Sequence, residues 1–246
     1  MDATIWQKFD AAAYVYDESS LLQQQSAQYL LNLMGSVEAD SVWLDAGCGT
    51  GVLAKALAAQ NARVWAIDLA PNMLKALEDN DQIQTILADI SQLPLADNML
   101  DGTVSNFALH WLDTEIITEI MRVVQPNGSA WLAIPILGSL SEITARYPEF
   151  PIFKFDTAEN WLNEATPWLR HYEIRRFSQD YPNLRSLITA IRQMGGDHTG
   201  QAHSRHGLSL WKQWLQDPAP IALSFDVLFL HLKKPADSSL SFLYQL

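Results

Sequence analysis

The sequence predicts an α/β fold, a buried and mostly parallel sheet with helices on both faces. Three observations carry this. Short runs that are apolar on nearly every residue alternate with helical stretches; glycines at every second position, Gly47, Gly49 and Gly51, link the first run to its helix; and acids close successive runs, at Asp45, Asp68 and Asp89. With 246 residues, 48% of them hydrophobic, the chain has enough apolar side chains for the core of one domain.

Residues 5–34 mix aromatics with the amphipathic run from Leu21 to Met34 and stop at Gly35, which reads as two helices. Strand 42–45 then leads to helix 52–60, strand 63–68 to helix 71–79, strand 83–88 to a loop, and strand 100–105 to helix 113–124. Pro126, Asn127 and Gly128 read as a turn into strand 129–134. Residues 136–168 are rich in aromatics and proline, with short helices near 139–146 and 157–165 and no strand of their own, and read as an inserted lid. A strand at 171–178, a helix at 183–194, a Gly/His-rich loop at 195–207, a helix at 208–215 and a strand at 221–232 complete the chain, with no assignment for the tail 235–246. The expected organisation is one domain over 1–246: N-terminal cap helices at 1–35, a ligand-binding core at 36–135, the lid at 136–168 and C-terminal strands with the tail at 169–246.

Composition narrows the function. A net charge of −12 disfavours a nucleic-acid substrate, since phosphate binding needs an excess of Lys and Arg. No apolar run is long enough to span a membrane and Met1 to Phe9 lacks a signal-peptide pattern, so a cytoplasmic protein is expected. The single Cys48 fits a reducing compartment and, with no basic neighbour, reads as a small loop residue rather than a nucleophile. Charge is unevenly spread: residues 1–169 hold 7 basic and 22 acidic side chains, whereas 170–212 hold 7 basic and 3 acidic. That basic segment, with Arg175, Arg176, Arg185, Arg192, Arg205 and Lys212, is either a solvated face or a docking patch for an acidic partner.

The glycine loop follows G-x-G-x-G with Asp45 ahead of it, not the dinucleotide pattern G-x-G-x-x-G. A carboxylate at the mouth of the loop repels a pyrophosphate but suits a nucleoside carrying an ammonium and a sulfonium, which is S-adenosylmethionine (SAM). Asp45, Asp68 and Asp89 lie 23 and 21 residues apart, so they come into register at the carboxyl ends of adjacent strands, where ligands of open α/β sheets bind. Asp68 is placed to accept the ribose hydroxyls and Asp89 the adenine amino group. A lone aspartate at such a position is usually a helix cap.

The motifs Leu44–Gly51, Ala66–Leu74 and Ala88–Leu95 resemble those of the class I SAM-dependent methyltransferases. The resemblance implies a Rossmann-like seven-stranded sheet whose last strand is antiparallel. It also implies a methionine moiety on the loop Gly47, Gly49 and Gly51, adenine flanked by Leu69 and Ile90, and further cofactor contacts from Met73, Asn106 and Tyr16. Several more stretches, Phe9–Asp17 with Leu22–Ala27, Ser105–Trp111, Gly138–Glu142, Ile191–His198 and Ala222–Leu228, resemble the malonyl-acyl-carrier-protein O-methyltransferases of biotin synthesis. The departures are His110 for the usual Gln, Ile191-Arg192-Gln193 for Leu-Lys-Gly, Thr144 for an Arg, and a lid without Asn-Arg-Phe. Arg146, two places beyond Thr144, is the candidate replacement.

The resemblance implies a partner, an acidic acyl carrier protein or malonyl-CoA, which the basic segment would steer. A malonyl carboxylate is already an anion, so its methylation needs alignment and no general base. Tyr16, His110 and Arg146 are the candidates for holding it. His198, His203 and His206 lack the spacing of a metal site, and no metal is expected. The alternatives are a SAM-dependent O-methyltransferase of a small free acid or natural product, and a SAM-binding protein without catalysis.

Overall fold

The computed structural model describes residues 3–14, 20–77, 80–150, 152–193 and 212–236. Tyr16, Arg205, His198, His203, His206 and the tail beyond Ala236 lie outside them. The strands are β1 Val42–Ala46, β2 Arg63–Asp68, β3 Ile83–Leu87, β4 Leu100–Asn106, β5 Val124–Pro135, the short β6 Leu137–Leu140, β7 Leu169–Tyr181 and β8 Ile221–Lys233. Seven of them form one sheet in the order β3-β2-β1-β4-β5-β8-β7. Pairings from β3 through to β5 are parallel, and β8 is antiparallel to both neighbours. The expected seven-stranded sheet with an antiparallel last strand is present.

Because side chains alternate across a strand, the sheet builds two apolar layers. Leu44, Ile67, Leu132, Ile134, Leu228 and Leu230 meet the helices Ile116–Val123 and Ala158–Ala165 on one face. On the other, Trp43, Val64, Ala66, Val104, Ala133 and Phe229 meet the helices Leu21–Met34, Val52–Ala58 and Leu184–Gln193. The Leu21–Met34 helix buries Leu22, Ser26, Ala27 and Leu30, a single stripe at helical spacing.

Where the elements depart from the sequence reading, the reasons are local. The helix expected at 71–79 is a single turn, Pro71–Leu74, followed by a 3-10 turn Lys75–Leu77 that carries Leu77 under Gly51. Pro126 to Gly128 is an irregularity inside β5 rather than a turn before it. Val124 already pairs with Leu100, the register then shifts, and Asn127 takes a φ of 64°, which asparagine tolerates. The lid has a strand after all, β6, and the strand expected at 171–178 runs from Leu169 to Tyr181 because its thirteen-residue partner β8 extends the ladder. Lys234 closes the far end of this layer: its Nζ donates to the carbonyls of Met121, Arg122 and Val124 at 2.7, 3.3 and 2.8 Å, where the Ile116–Val123 helix ends.

Candidate active site

The strand order reverses at β1, which has β2 on one side and β4 on the other, so a crevice opens at their carboxyl ends. The glycine loop fills that point. Gly47, Gly49 and Gly51 all have positive φ, at 71°, 52° and 83°. The backbone N–H groups of Gly47 and Cys48 donate to the Ile67 carbonyl at 2.8 and 3.0 Å, and Gly49 N–H donates to Asp68 Oδ2 at 2.9 Å. Asp68 Oδ1 accepts from Ala70 N–H, also at 2.9 Å. Asp68 thus ties the loop after β1 to the end of β2, and one residue sets the geometry of both.

Asp45 is 1% exposed and its Oδ2 accepts from the Ala54 N–H at 2.9 Å. Burial raises its carboxyl to about 7, with Asp68 adding repulsion, while the Ala54 bond pulls the other way. Asp68 is raised as well, by burial first, against the pull of three backbone donors, with Asp10 adding repulsion. The same burial, plus both aspartates, pushes the Cys48 thiol well up, so it stays protonated and serves as a small loop residue.

Two recesses meet at Gly47 and Asn106. The larger is lined by Asp68, Leu69, Met73, Ala88 and Ile90 and roofed by the aromatics Trp6, Phe9, Phe107 and Trp111. Ser20, Gln23, Gln24, Asp45, Cys48 and Val52 are among the residues lining the smaller. Among the described residues no Lys or Arg lines either, so their donor set is wrong for a phosphate and fits a ligand with a nucleoside end and a cationic end.

A family profile described as "Methyltransferase domain" matches residues 44–132. A malonyl-[acyl-carrier protein] O-methyltransferase of Hamiltonella defensa subsp. Acyrthosiphon pisum (strain 5AT) is 31% identical over 197 residues, 77% of this chain and 76% of that protein. The chain belongs to the malonyl-[acyl-carrier protein] O-methyltransferase family. Solved structures share its fold. The YcgJ protein of Bacillus subtilis superposes with a TM-score of 0.63 at 14% identity, over 86% of this chain and 98% of that one. The geranyl diphosphate C-methyltransferase of Streptomyces coelicolor A3(2), solved with Mg2+, geranyl diphosphate and S-adenosyl-L-homocysteine, does so with a TM-score of 0.53 at 13% identity, over 85% and 78%. By family and fold the chain is a SAM-dependent methyltransferase.

In this malonyl-[acyl-carrier protein] O-methyltransferase family member, Asp45, Gly47, Asp68, Leu69, Met73, Ile90 and Asn106 all line the paired recesses. Asp89 does not, although its neighbours Ala88 and Ile90 do; its Oδ1 accepts from Ser91 N–H at 2.8 Å and caps the short turn Ile90–Gln92. Asn106 does more than line the site. Its Oδ1 accepts from the Ser26 hydroxyl at 2.7 Å and its amide donates to the Gln23 carbonyl at 3.0 Å, fastening the Leu21–Met34 helix over the recess.

His110 packs among aromatics, with ring centroids 4.6 Å from Trp111, 5.5 Å from Phe153 and 5.6 Å from Phe155, so the lid seats on the segment after β4. Arg146 is placed elsewhere. It ion-pairs with Asp217 at 2.8 Å and donates to the Pro220 carbonyl at 2.9 Å, and it lines neither recess, which corrects its candidacy for holding a substrate carboxylate. Arg176 is also committed internally: to Asp226 at 2.8 Å, the Gly138 carbonyl at 3.1 Å and the Ser141 hydroxyl at 2.9 Å, it fastens the start of the lid to β8. Arg175 lies 4.2 Å over the Tyr29 ring, while Arg185, Arg192 and Lys212 are exposed.

The aromatic roof escaped sequence reasoning. Phe9, Gln23, Gln24, Phe107 and Trp111 stand in stretches that carried the resemblance, but Trp6 has no signal in the sequence at all. Among the described residues no cluster of His, Cys, Asp and Glu could hold a metal, and no helix is long and apolar enough to cross a membrane.

Gly47 gives a direct check on the loop. A Cβ there would stand 2.3 Å from the Ala108 Cβ at a φ of 71°. Gly47→Ala is expected to cost about 2–3 kcal/mol of stability, from strain and overpacking together. Urea denaturation measures this, and an unchanged midpoint would mean the loop does not sit as described.

Proposed function

We propose that the protein transfers the methyl group of SAM to the free carboxylate of a malonyl thioester, carried by an acyl carrier protein, giving the methyl ester that primes pimelate synthesis for biotin. The observation that carries the reading is family membership over three quarters of the chain, with a recess whose acids and apolar walls fit the cofactor. When bound, SAM supplies an electrophilic methyl group on a sulfonium sulfur. Asp68 accepts from the ribose hydroxyls with the lone pairs its backbone bonds leave. Leu69, Met73 and Ile90 pack on the adenine, and the remaining oxygen of Asp89 accepts from its amine. Asp45 and the loop Gly47, Gly49 and Gly51 take the methionine end, beside Asn106 and, from outside the described residues, Tyr16.

The malonyl carboxylate is anionic at neutral pH, so neither base nor metal is needed; the protein aligns the oxygen and excludes water. The wall formed by Phe107, His110, Trp111, Phe153 and Phe155 serves that exclusion, with His110 the polar group in it. The acidic carrier docks on Arg175, Arg185, Arg192, Arg205 and Lys212, with Arg176 holding the lid instead. One domain over 1–246 carries all of this, in the cytoplasm.

Steady-state kinetics with malonyl-carrier protein, malonyl-CoA and free malonate tests the reading. The carrier-bound substrate is expected to have the lowest KM, and Arg185→Glu with Lys212→Glu to raise that KM about fivefold without affecting malonyl-CoA. Equal kcat/KM for free malonate would contradict a thioester substrate.

A further inference from the structure

Asp10 lies on the Ala3–Ala12 helix, which brings Trp6 and Phe9 to the larger recess. Its Oδ1 accepts from the Asn72 N–H at 2.6 Å, its Oδ2 from the Asn72 side-chain amide at 2.9 Å, and its carbonyl from the same amide at 3.4 Å. Asn72 belongs to the turn that follows Asp68 and Leu69, so this tie across 62 residues of chain sets the N-terminal helix against the ribose end of the site. Phe9 adds an edge contact to Trp111 at 5.8 Å. The tie also brings in a charge. Asp10 stands near enough to Asp68 to raise its carboxyl, after the larger effect of burial, and among the described residues no Lys or Arg lines either recess.

We propose that Asp10 is a positioning residue: it seats the N-terminal helix over the bound cofactor and, through its charge, makes the seated helix favour SAM over the demethylated product. The inference rests on the SAM reading of the site. Seating the helix brings the Asp10 carboxylate toward Asp68, which repels it. The sulfonium charge of SAM offsets that repulsion. In methyl transfer the O–CH3 bond forms, the C–S bond breaks, and its electron pair stays on sulfur, so the cation vanishes. S-adenosylhomocysteine no longer offsets the repulsion between Asp10 and Asp68, and the helix loosens for product release.

Calorimetric titration of the full chain with SAM and with S-adenosylhomocysteine tests this in wild type, Asp10→Asn, Asp10→Ala and Asn72→Ala. In Asp10→Asn, the new amide oxygen still accepts from the Asn72 N–H, so the backbone bond of the tie stays and the charge goes; Asn72 Oδ1 keeps its bond from Lys75 Nζ. SAM affinity is expected to fall about fivefold with S-adenosylhomocysteine within about twofold of wild type. Asn72→Ala, which removes the side-chain amide bonds of the tie and keeps the backbone bond and the charge, is expected to weaken both ligands by about threefold, and Asp10→Ala, which loses the carboxylate and its bonds, to weaken both by about tenfold. An equal shift for both ligands in Asp10→Asn, or wild-type affinity in Asp10→Ala and Asn72→Ala, would overturn the inference and leave the SAM site standing. A wild type that binds neither ligand would remove the SAM reading and the inference with it.

Discussion

Asp68→Ala is expected to weaken SAM binding by about 2–3 kcal/mol, a factor of about 30–150 in Kd. Two losses combine. In the proposed placement of SAM the ribose hydroxyls lose their acceptor, and the loop loses the bond from Gly49 N–H to Asp68 Oδ2 that ties it to β2. The Gly47 and Cys48 bonds to the Ile67 carbonyl remain, so the variant is expected to fold. Calorimetry with SAM measures the effect, and affinity within twofold of wild type would mean that the ribose sits elsewhere.

The second large effect concerns Asp45, where function and stability oppose each other. The unfolded chain ionises this carboxyl near 3.8, whereas burial in the fold holds the proton to about 7. Since the folded pKa is the higher, the folded state binds more protons between those values, and stability falls as pH rises through that window before levelling above it. The accumulated cost above pH 7 is on the order of 4 kcal/mol. Asp45→Asn keeps an oxygen for the Ala54 N–H and carries no charge, so it is expected to be more stable than wild type at pH 8 and level with it near pH 4. Urea denaturation at both values checks this. The same variant is expected to bind SAM poorly, for the ammonium loses its counter-ion. Wild-type SAM affinity is expected to decline about tenfold per pH unit below 7 as Asp45 takes up its proton. A stability difference that is equal at pH 4 and pH 8 would contradict the buried, raised carboxyl.

The strands and the recesses at their carboxyl ends were legible because local patterns encode them. Buried strands need continuous apolar runs, the sharp exit from β1 needs glycine, and acids at strand ends repeat at the length of one strand and one helix. That logic brings Asp45 and Asp68 to the recesses, whereas Asp89 lines neither and caps its own turn. Pairs set by packing between distant segments leave no such trace. Arg146 finds Asp217 and Arg176 finds Asp226 across 71 and 50 residues, which turned a candidate substrate clamp and a candidate docking residue into lid anchors. The tie between Asp10 and Asn72 and the place of Trp6 in the roof depend on how the N-terminal helix lies, which its own sequence does not state. The basic character of 170–212 was visible, but not which of its side chains the fold had already engaged.

Methyl transfer to oxygen is the centre of the account, and the fate of a labelled methyl group reports on it directly. The protein is incubated with SAM labelled in its methyl group and with malonyl-acyl carrier protein, and the carrier-bound product is then treated with mild base. The label is expected on the carrier before treatment and in methanol after it, as an ester of the free carboxylate requires. Label that stays on the released acid, or never reaches the carrier, would contradict it.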